Sequence, residues 1–376
     1  MRFLHLADLH LGKKVNGFNM IEDQKYAIKE VLDLVDEQRV ETVIIAGDIY
    51  DQSVPSSEAM AVFDDFLTSL RNRDIITIII AGNHDSVERL SFASRLMTKS
   101  DIFISQPFKG GVERVVLEDE YGKINFYLLP FLKPIYIKAW CSNIGIDDFQ
   151  KAMDFVLKDI KLDKNERNVI VSHQFIIGAL RSESEELYLG GSEAISIDTY
   201  EGFDYVALGH IHKKQAFKDG MVRYPGSLLK YSKSESNYKK SLTIVDMKEK
   251  GDVQVIEKPI RYLRDMRIVE GYFEDIMAQA KNDNKKDDYI HINLFDKDQV
   301  FDAQARLREV YPNLMSLTYT NMRQLLEIER LEEELRTDKD PFELFNEFYE
   351  NRKNKKLDDE KRKIVKEIID EVWGDL

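Results

Sequence analysis

Five short apolar runs in this chain end in the same kind of punctuation. "RFLHLAD" leads to Asp8 and His10, "TVIIAGD" to Asp48 and Asp51, and "IITIIIAG" to Asn83, His84 and Asp85; "NVIVSH" ends at His173 and "YVALGHIH" at His210 and His212. Near-continuous runs rich in Val and Ile are what strands buried on both faces look like, and the amphipathic stretches at 24–38, 56–72 and 88–98 supply helices between the first of them. A layered α/β fold follows. In such folds the strand ends form a rigid edge while the next loop is free to vary, so five donor-bearing ends are set to converge.

Further strands are expected at "RVVLED" and "KINFYLLPF", joined by a turn at Tyr121-Gly122, and at "VRYPGS", "SLTIVDM" and "VQVIEKP", with a helix near 147–160. The hairpin-like spacing of the later runs predicts mixed sheets rather than purely parallel ones. After Lys258-Pro259 the texture changes: "RIVEGYFEDIMAQAKN", "YIHINLFD", "DAQARLREVY" and "LMSLTYT" spell strand, helix, strand, helix, strand. That is enough for a small satellite α/β domain. The expected organisation is a main domain over 1–258, a small domain over 259–322, a linker over 323–337 and a helical element over 338–376.

An aspartate after a strand is more often a turn former or helix cap than a metal ligand, and a lone histidine is usually a satisfied side chain. Joint occurrence outweighs those readings here. Five of the seven histidines fall in these strand-end motifs, all beside compatible oxygen donors. His210 and His212 lie two apart, so on an extended segment both face the same way. Gly47, Gly82 and Gly209 allow tight turns beside the donors. Oxygen and imidazole donors without a thiolate suit hard to borderline divalent ions and give no reason to expect a structural zinc site.

The chain has one cysteine, Cys141, which excludes an internal disulfide and fits a reducing compartment. No stretch of about 18 apolar residues occurs and "MRFLHLADLH" has no apolar signal core, so a cytoplasmic protein without a membrane partner is expected. The net charge of -14 argues against binding a polyanion by bulk positive charge. Such a partner would have to be met locally.

The set D-x-H, G-D-x-x-D, G-N-H-D, a lone His and G-H-x-H, spanning residues 8 to 212, resembles the calcineurin-like metallophosphoesterase superfamily. "FLHLADLHLG", "GGSEAI" at 190–195 and "YPGSLLKYSKSE" at 224–235 are similar, more narrowly, to the SbcD family of nuclease subunits. The resemblance implies a four-layer sandwich of two mixed sheets flanked by helices, with a small α/β capping domain and C-terminal helices. It implies two divalent ions, manganese in the first place and magnesium as the other choice: Asp8, His10, Asp48 and His212 around one, and Asp48, Asn83, His173 and His210 around the other. Asp48 would be the bridge. His84 would be a catalytic acid rather than a ligand, with Asp85 placed to fix its tautomer, and Asp51 matches the second acid of G-D-x-x-D. His5, on an apolar strand, reads as core, and His291 is given no chemistry.

The implied activity is hydrolysis of DNA phosphodiesters, exonucleolytic on duplexes and endonucleolytic on single strands and hairpins, in repair, recombination and replication. The implied partners are DNA, a second copy of the chain and the SMC-like ATPase SbcC. Lys13, Lys14, Arg89, Arg95, Lys213 and Lys214 follow the motifs and could line a path for the phosphate backbone. In the tail, Asp340 and Pro341 open a helix with Phe342, Phe345 and Phe348 on one side, and a second stripe carries Ile364, Ile368 and Trp373. By resemblance this pair would grip SbcC. A small-substrate phosphodiesterase or phosphatase, or a scaffold that has lost hydrolysis, are the rival readings; missing ligands would mark the scaffold, and none is missing.

Overall fold

The computed structural model describes residues 1–140, 145–185 and 193–320, with scattered positions between 342 and 369. Two six-stranded sheets form its centre. In the first, Arg2–Leu6, Thr42–Ala46, Ile76–Ile80 and Ile102–Ile104 run parallel, and Ser241–Met247 and Val253–Pro259 add an antiparallel hairpin beside Arg2–Leu6. In the second, Gly122–Leu129, Arg167–His173, Tyr205–Gly209 and Val222–Tyr224 are parallel, with Glu113–Asp119 and Gln215–Phe217 antiparallel at the two edges. Both sheets are mixed, as the spacing of the later runs predicts.

Alternation along each strand builds the layers. Phe3, Ile44, Ile78 and Val245 from one sheet meet Phe126, Val171, Tyr205 and Ala207 from the other in the space between them. Leu4, Leu6, Val43 and Ile45 point the opposite way, onto the helices Ile21–Gln38 and Ser57–Arg71. Tyr127, Ile170 and Leu208 likewise pack against the helix Phe149–Leu157. Helix, sheet, sheet and helix thus give four layers. Capping agrees with the sequence: Ser56 Oγ accepts from the Ala59 amide at 3.2 Å, and Asp148 Oδ1 from that of Lys151 at 2.7 Å.

The stretch 88–98, expected as one helix, is instead two single turns, Val87–Leu90 and Ser94–Met97. Ala93, in the left-handed region at φ 61°, separates them.

His5 is core, as expected: its Nδ1 lies 3.0 Å from the Tyr205 hydroxyl and its Nε2 3.1 Å from the Leu208 carbonyl. The strands Met266–Gly271, Tyr289–Leu294 and Leu314–Tyr319 form a separate parallel sheet packed on the helices Phe273–Ala280 and Ala303–Val310. Met266, Tyr289 and Met315 turn toward the first sheet's helical layer, where Arg264 and the Tyr289 hydroxyl both reach the fully buried Asp23 carboxylate.

Candidate metal centre

The parallel strands of both sheets end at one edge of the sandwich, and the seven residues expected to hold metal meet there. Asp8, His10 and Asp48 come from the first sheet, with Asn83 beyond its third strand; His173, His210 and His212 come from the second. All but Asn83 are buried. Three groups of donors have ligand atoms within 4.8 Å of one another: Asp8, His10 and His212; His10, Asp48 and His84; and Asp8, Asp48 and His173. Asp8, His10 and Asp48 are each shared between two of them.

The backbone is bent to achieve this. Asp8, His10, Asp48 and His210 all have positive φ, at 55°, 45°, 52° and 104°, a conformation that costs energy for residues with a Cβ and concentrates at functional sites. Two glycines make room. A Cβ on Gly209 would stand 1.9 Å from the Ala46 carbonyl oxygen, and one on Gly82 would stand 2.1 Å from Asp48 Oδ1.

Whether these side chains suit a cation can be read from their hydrogen bonds. His173 Nδ1 donates to the Ala46 carbonyl at 2.7 Å, so the other nitrogen of the neutral ring carries a lone pair. That nitrogen faces Asn83 Oδ1 at 3.0 Å and Asp48 Oδ2 at 3.4 Å. Three electron-rich atoms face one another, an arrangement that only a proton or a metal ion between them makes favourable. The same holds for His10 Nε2 and His212 Nε2, 3.0 Å apart, with Asp48 Oδ2 at 3.7 Å from the former.

The electrostatics agree. Burial lifts the Asp8 carboxyl far above the usual range and the nearby Asp48 charge adds to it, although His173 opposes. Burial pulls His10 down to about 3 and lowers His210 and His212. For His173 burial acts downward too, but the Asp48 and Asp8 carboxylates outweigh it and hold the ring up at about 9. The crowded carboxylates and the neutral rings of His10, His210 and His212 form a cage short of positive charge; a proton on His173 supplies part of it, and a divalent cation would supply it in that proton's place.

His84 is partly exposed beside this cluster, with Nε2 4.0 Å from Asp48 Oδ2 and its ring 4.8 Å from that of His10. Its expected pairing with Asp85 does not form. Asp85 instead accepts from the backbone amides of Ile49, Tyr50 and Gly82 at 3.1, 3.0 and 2.9 Å, and burial together with the Asp48 charge raises it to about 6. Three amides hold this short side chain against the backbone. His84 Nδ1 bonds the Asp51 carbonyl oxygen at 2.9 Å. The Asp51 carboxylate lies 3.5 Å from His10 Nδ1 and pairs with Lys13 at 2.6 Å; burial pushes it up, but His10 and Lys13 hold it down at about 2.

The six basic residues differ in what they touch. Lys13 is neutralised by Asp51, whereas Lys214 and Arg223 share the one carboxylate of Glu257, at 2.5 and 2.6 Å, which leaves a positive charge over at that point. Lys213 lies 5.2 Å from the Tyr238 ring. Lys14, Arg89 and Arg95 are exposed, and Arg89 lines a cleft of about 560 Å³ with Asn83, Phe108, Phe131 and Tyr136.

Several residues that touch the histidine pair carry no signal of a role in the sequence. Glu193 Oε1 lies 3.8 Å from His210 Nε2, Ser184 Oγ is 2.6 Å from His212 Nδ1, and Glu185 accepts from the His212 amide at 2.7 Å. Glu235 and Lys240 lie behind them. Glu193 and Glu235 sit inside "GGSEAI" and "YPGSLLKYSKSE", but nothing in the spacing of those stretches points at a metal centre. Of the tail residues, Phe342 is 5.9 Å from the Arg362 guanidinium, and Phe345 and Ile364 are exposed. Phe348, Ile368 and Trp373 lie outside the described residues.

Fold and donor set define a metal-dependent phosphoesterase. Residues 1–214 match the calcineurin-like phosphoesterase family, and the chain belongs to it. Residues 262–353 match a family described as the type 5 capsule protein repressor C-terminal domain. At the level of individual proteins, the chain is 30% identical over 322 residues to the SbcD component of nuclease SbcCD from Staphylococcus epidermidis, covering 85% of each. It is 32% identical over 324 residues to the same component from Staphylococcus saprophyticus, covering 85% of this chain and 84% of that one. A dimetal phosphatase from Danio rerio overlaps at a TM-score of 0.41 with 12% identity, over 69% of this chain and 96% of that one, too loosely to bear on the assignment.

Proposed function

We propose that this chain is a metal-dependent nuclease of the SbcD type, a DNA phosphodiesterase that works with the ATPase SbcC. The observation that carries the reading is that Asp48 Oδ2 faces a histidine from each sheet, His173 Nε2 at 3.4 Å and His10 Nε2 at 3.7 Å. Asp8, His10, Asp48 and His212 would hold one divalent ion, and Asp48, Asn83, His173 and His210 the other. Bound there, the ions would supply Lewis-acid activation of a water and of the phosphodiester. The donor set, without thiolate, suits manganese, with magnesium as the alternative.

The protein's own groups supply the rest. With Nδ1 bonded to the Asp51 carbonyl, His84 keeps Nε2 as the nitrogen that takes up or delivers a proton, and its partial exposure lets a leaving 3′-oxygen reach it. The cleft beside Asn83 is large enough for a nucleotide-sized group, and Arg89 stands at its rim to meet the backbone.

The finer assignments belong to the same proposal. Residues 259–322 would cap the main domain, 1–258, and shape access for DNA; residues 323–337 would link it to the helical element 338–376 that grips SbcC. A homodimer would form near the active-site loops, where Phe92 and Leu96 are 79% and 67% exposed. Activity would be exonucleolytic on duplex ends and endonucleolytic on single strands and hairpins, in a cytoplasmic protein of DNA repair, recombination and replication; among the described residues no helix is long and apolar enough to cross a membrane.

End-labelled duplex and hairpin DNA, incubated with manganese or chelator and with or without SbcC, tests the reading directly. Metal-dependent cleavage is expected. Turnover of a small aryl phosphodiester with no cleavage of either DNA would replace the nuclease with a small-substrate phosphoesterase.

A further inference from the structure

His212 is held at three points by groups that the phosphoesterase motifs do not include. Its amide donates to Glu185, its carbonyl accepts from Lys240 Nζ at 2.8 Å, and its ring Nδ1 lies 2.6 Å from Ser184 Oγ. Ser184 Oγ is in turn 2.5 Å from Glu235 Oε1, and the other oxygen of Glu235 takes Lys240 Nζ at 2.5 Å. Lys240 completes its three donors on Ser227 Oγ at 2.7 Å. Glu235 is fully buried and Lys240 nearly so.

The order of donors along this line follows from the distances. Ser184 Oγ has three neighbours, Glu235 Oε1 at 2.5 Å, His212 Nδ1 at 2.6 Å and Ser182 Oγ at 2.8 Å; the carboxylate oxygen only accepts and is the nearest, so the Ser184 hydroxyl hydrogen goes to it, while Ser182 donates to Glu185. The Ser184 oxygen is then left as an acceptor toward the ring, and His212 Nδ1 must carry the proton. That fixes the tautomer in which the Nε2 lone pair points into the cluster, 3.0 Å from His10 Nε2. A buried carboxylate with its own ammonium partner supplies the pull without adding net charge to the cage.

We infer that Ser184, Glu235 and Lys240 are positioning residues that set the tautomer of His212 and thereby the affinity of one of the two ion positions, the one built on Asp8, His10 and His212. The inference rests on the two-metal reading above. It concerns only one position: His173 Nδ1 is satisfied by a backbone carbonyl and does not depend on this line.

The test is manganese binding to the metal-stripped full chain, followed by calorimetry and by the electron paramagnetic resonance signal of coupled ions. Wild type should take two ions. Ser184→Ala should weaken one of them by about 10- to 100-fold, the effect of removing a hydrogen-bond partner of a ligating histidine, leave the other unchanged and lose the coupled signal at low manganese. Ser184→Thr, which keeps the hydroxyl, should restore both. Because Ser184 is only half-buried, its truncation is the safer variant; Glu235→Gln should act in the same direction. Two unchanged affinities in Ser184→Ala, equal weakening of both ions, or no rescue by threonine would overturn the inference. Failure of wild type to take two ions would instead overturn the two-metal reading, and this inference with it.

Discussion

Asp48 and His173 bring Oδ2 and Nε2 to 3.4 Å of each other from different sheets. Asp48 follows a strand of the first sheet and His173 ends a strand of the second, so the site straddles the sandwich rather than belonging to either half. Asp48→Asn keeps shape and removes the charge that two donor groups share. Metal uptake is expected to fall from two ions to at most one, with affinity weakened beyond about 100-fold, the upper end for groups that merely support a ligand. Elemental analysis of the purified variant measures this, and retention of two ions would remove Asp48 as the bridge.

His84 lies at the rim of the same cluster, its Nε2 4.0 Å from Asp48 Oδ2 against 3.4 Å for His173 and 3.7 Å for His10. His84→Gln should leave both ions bound and lower turnover by about 10²- to 10⁴-fold, the range for a lost general acid. Loss of an ion in this variant would make His84 a ligand, a reading its grouping with His10 and Asp48 also allows.

Gly209 faces a backbone carbonyl where no side chain can yield. Its added Cβ would meet the Ala46 carbonyl oxygen at 1.9 Å and His173 Nδ1 at 2.6 Å, so Gly209→Ala must push the two sheets apart at the site. A loss of about 1–3 kcal/mol or more is expected, read from denaturant midpoints at unchanged slope, together with weakened metal binding through His173. A variant as stable as wild type would show that this edge relaxes freely.

The strand ends are legible in the sequence because five buried strands are largely apolar, so polar donors directly after them stand out. Asp8, His10, Asp48, Asn83, His173, His210 and His212 all stand out that way. The supports are not legible. Ser184 reaches His212 across 28 residues and Glu235 reaches it from beyond a turn at Gly226, and no periodicity encodes a contact made only when loops fold over each other. The His84–Asp85 pairing fails for a local reason: Asp85 turns back to the amides of Ile49, Tyr50 and Gly82, while the His84 ring lies against that of His10 with its Nδ1 on the Asp51 carbonyl. The break at Ala93 is hidden because alanine is a good helix former and gives no signal of a left-handed turn.

His5, buried between the sheets, makes a prediction about pH. Burial holds it down at about 3, against 6.5 for the free ring. The unfolded chain therefore takes up a proton below 6.5 that the folded chain refuses until about 3. The stability tied to this ring is complete above pH 6.5 and is lost as pH falls from 6.5 toward 3, with a slope of up to about 1.4 kcal/mol per pH unit. His5→Gln should be less stable at neutral pH, having lost its bonds to Tyr205 and Leu208, yet show a shallower decline on acidification. Thermal unfolding of both chains from pH 7.5 to 4.5, in chelator so that metal binding does not contribute, checks the slope; parallel curves would mean His5 does not control the acid limb.

Arg89 and Lys13 both follow metal-site motifs in the sequence, and the structure separates them. Arg89 is exposed on the cleft beside Asn83, whereas Lys13 already neutralises Asp51 at 2.6 Å and lies 5.6 Å from the Tyr231 ring. A cation that meets a phosphate releases counterions from the DNA, and one that stays paired with a carboxylate does not. Arg89→Ala should reduce the slope of log affinity against log salt by about 1, uniformly across sequences. Lys13→Ala should leave that slope unchanged while disturbing the site through Asp51 and His10. Fluorescence anisotropy of labelled duplex in chelator, across a salt series, distinguishes them. Equal slopes for wild type and Arg89→Ala would take Arg89 off the DNA path, and a reduced slope for Lys13→Ala would mean its ion pair opens when DNA binds.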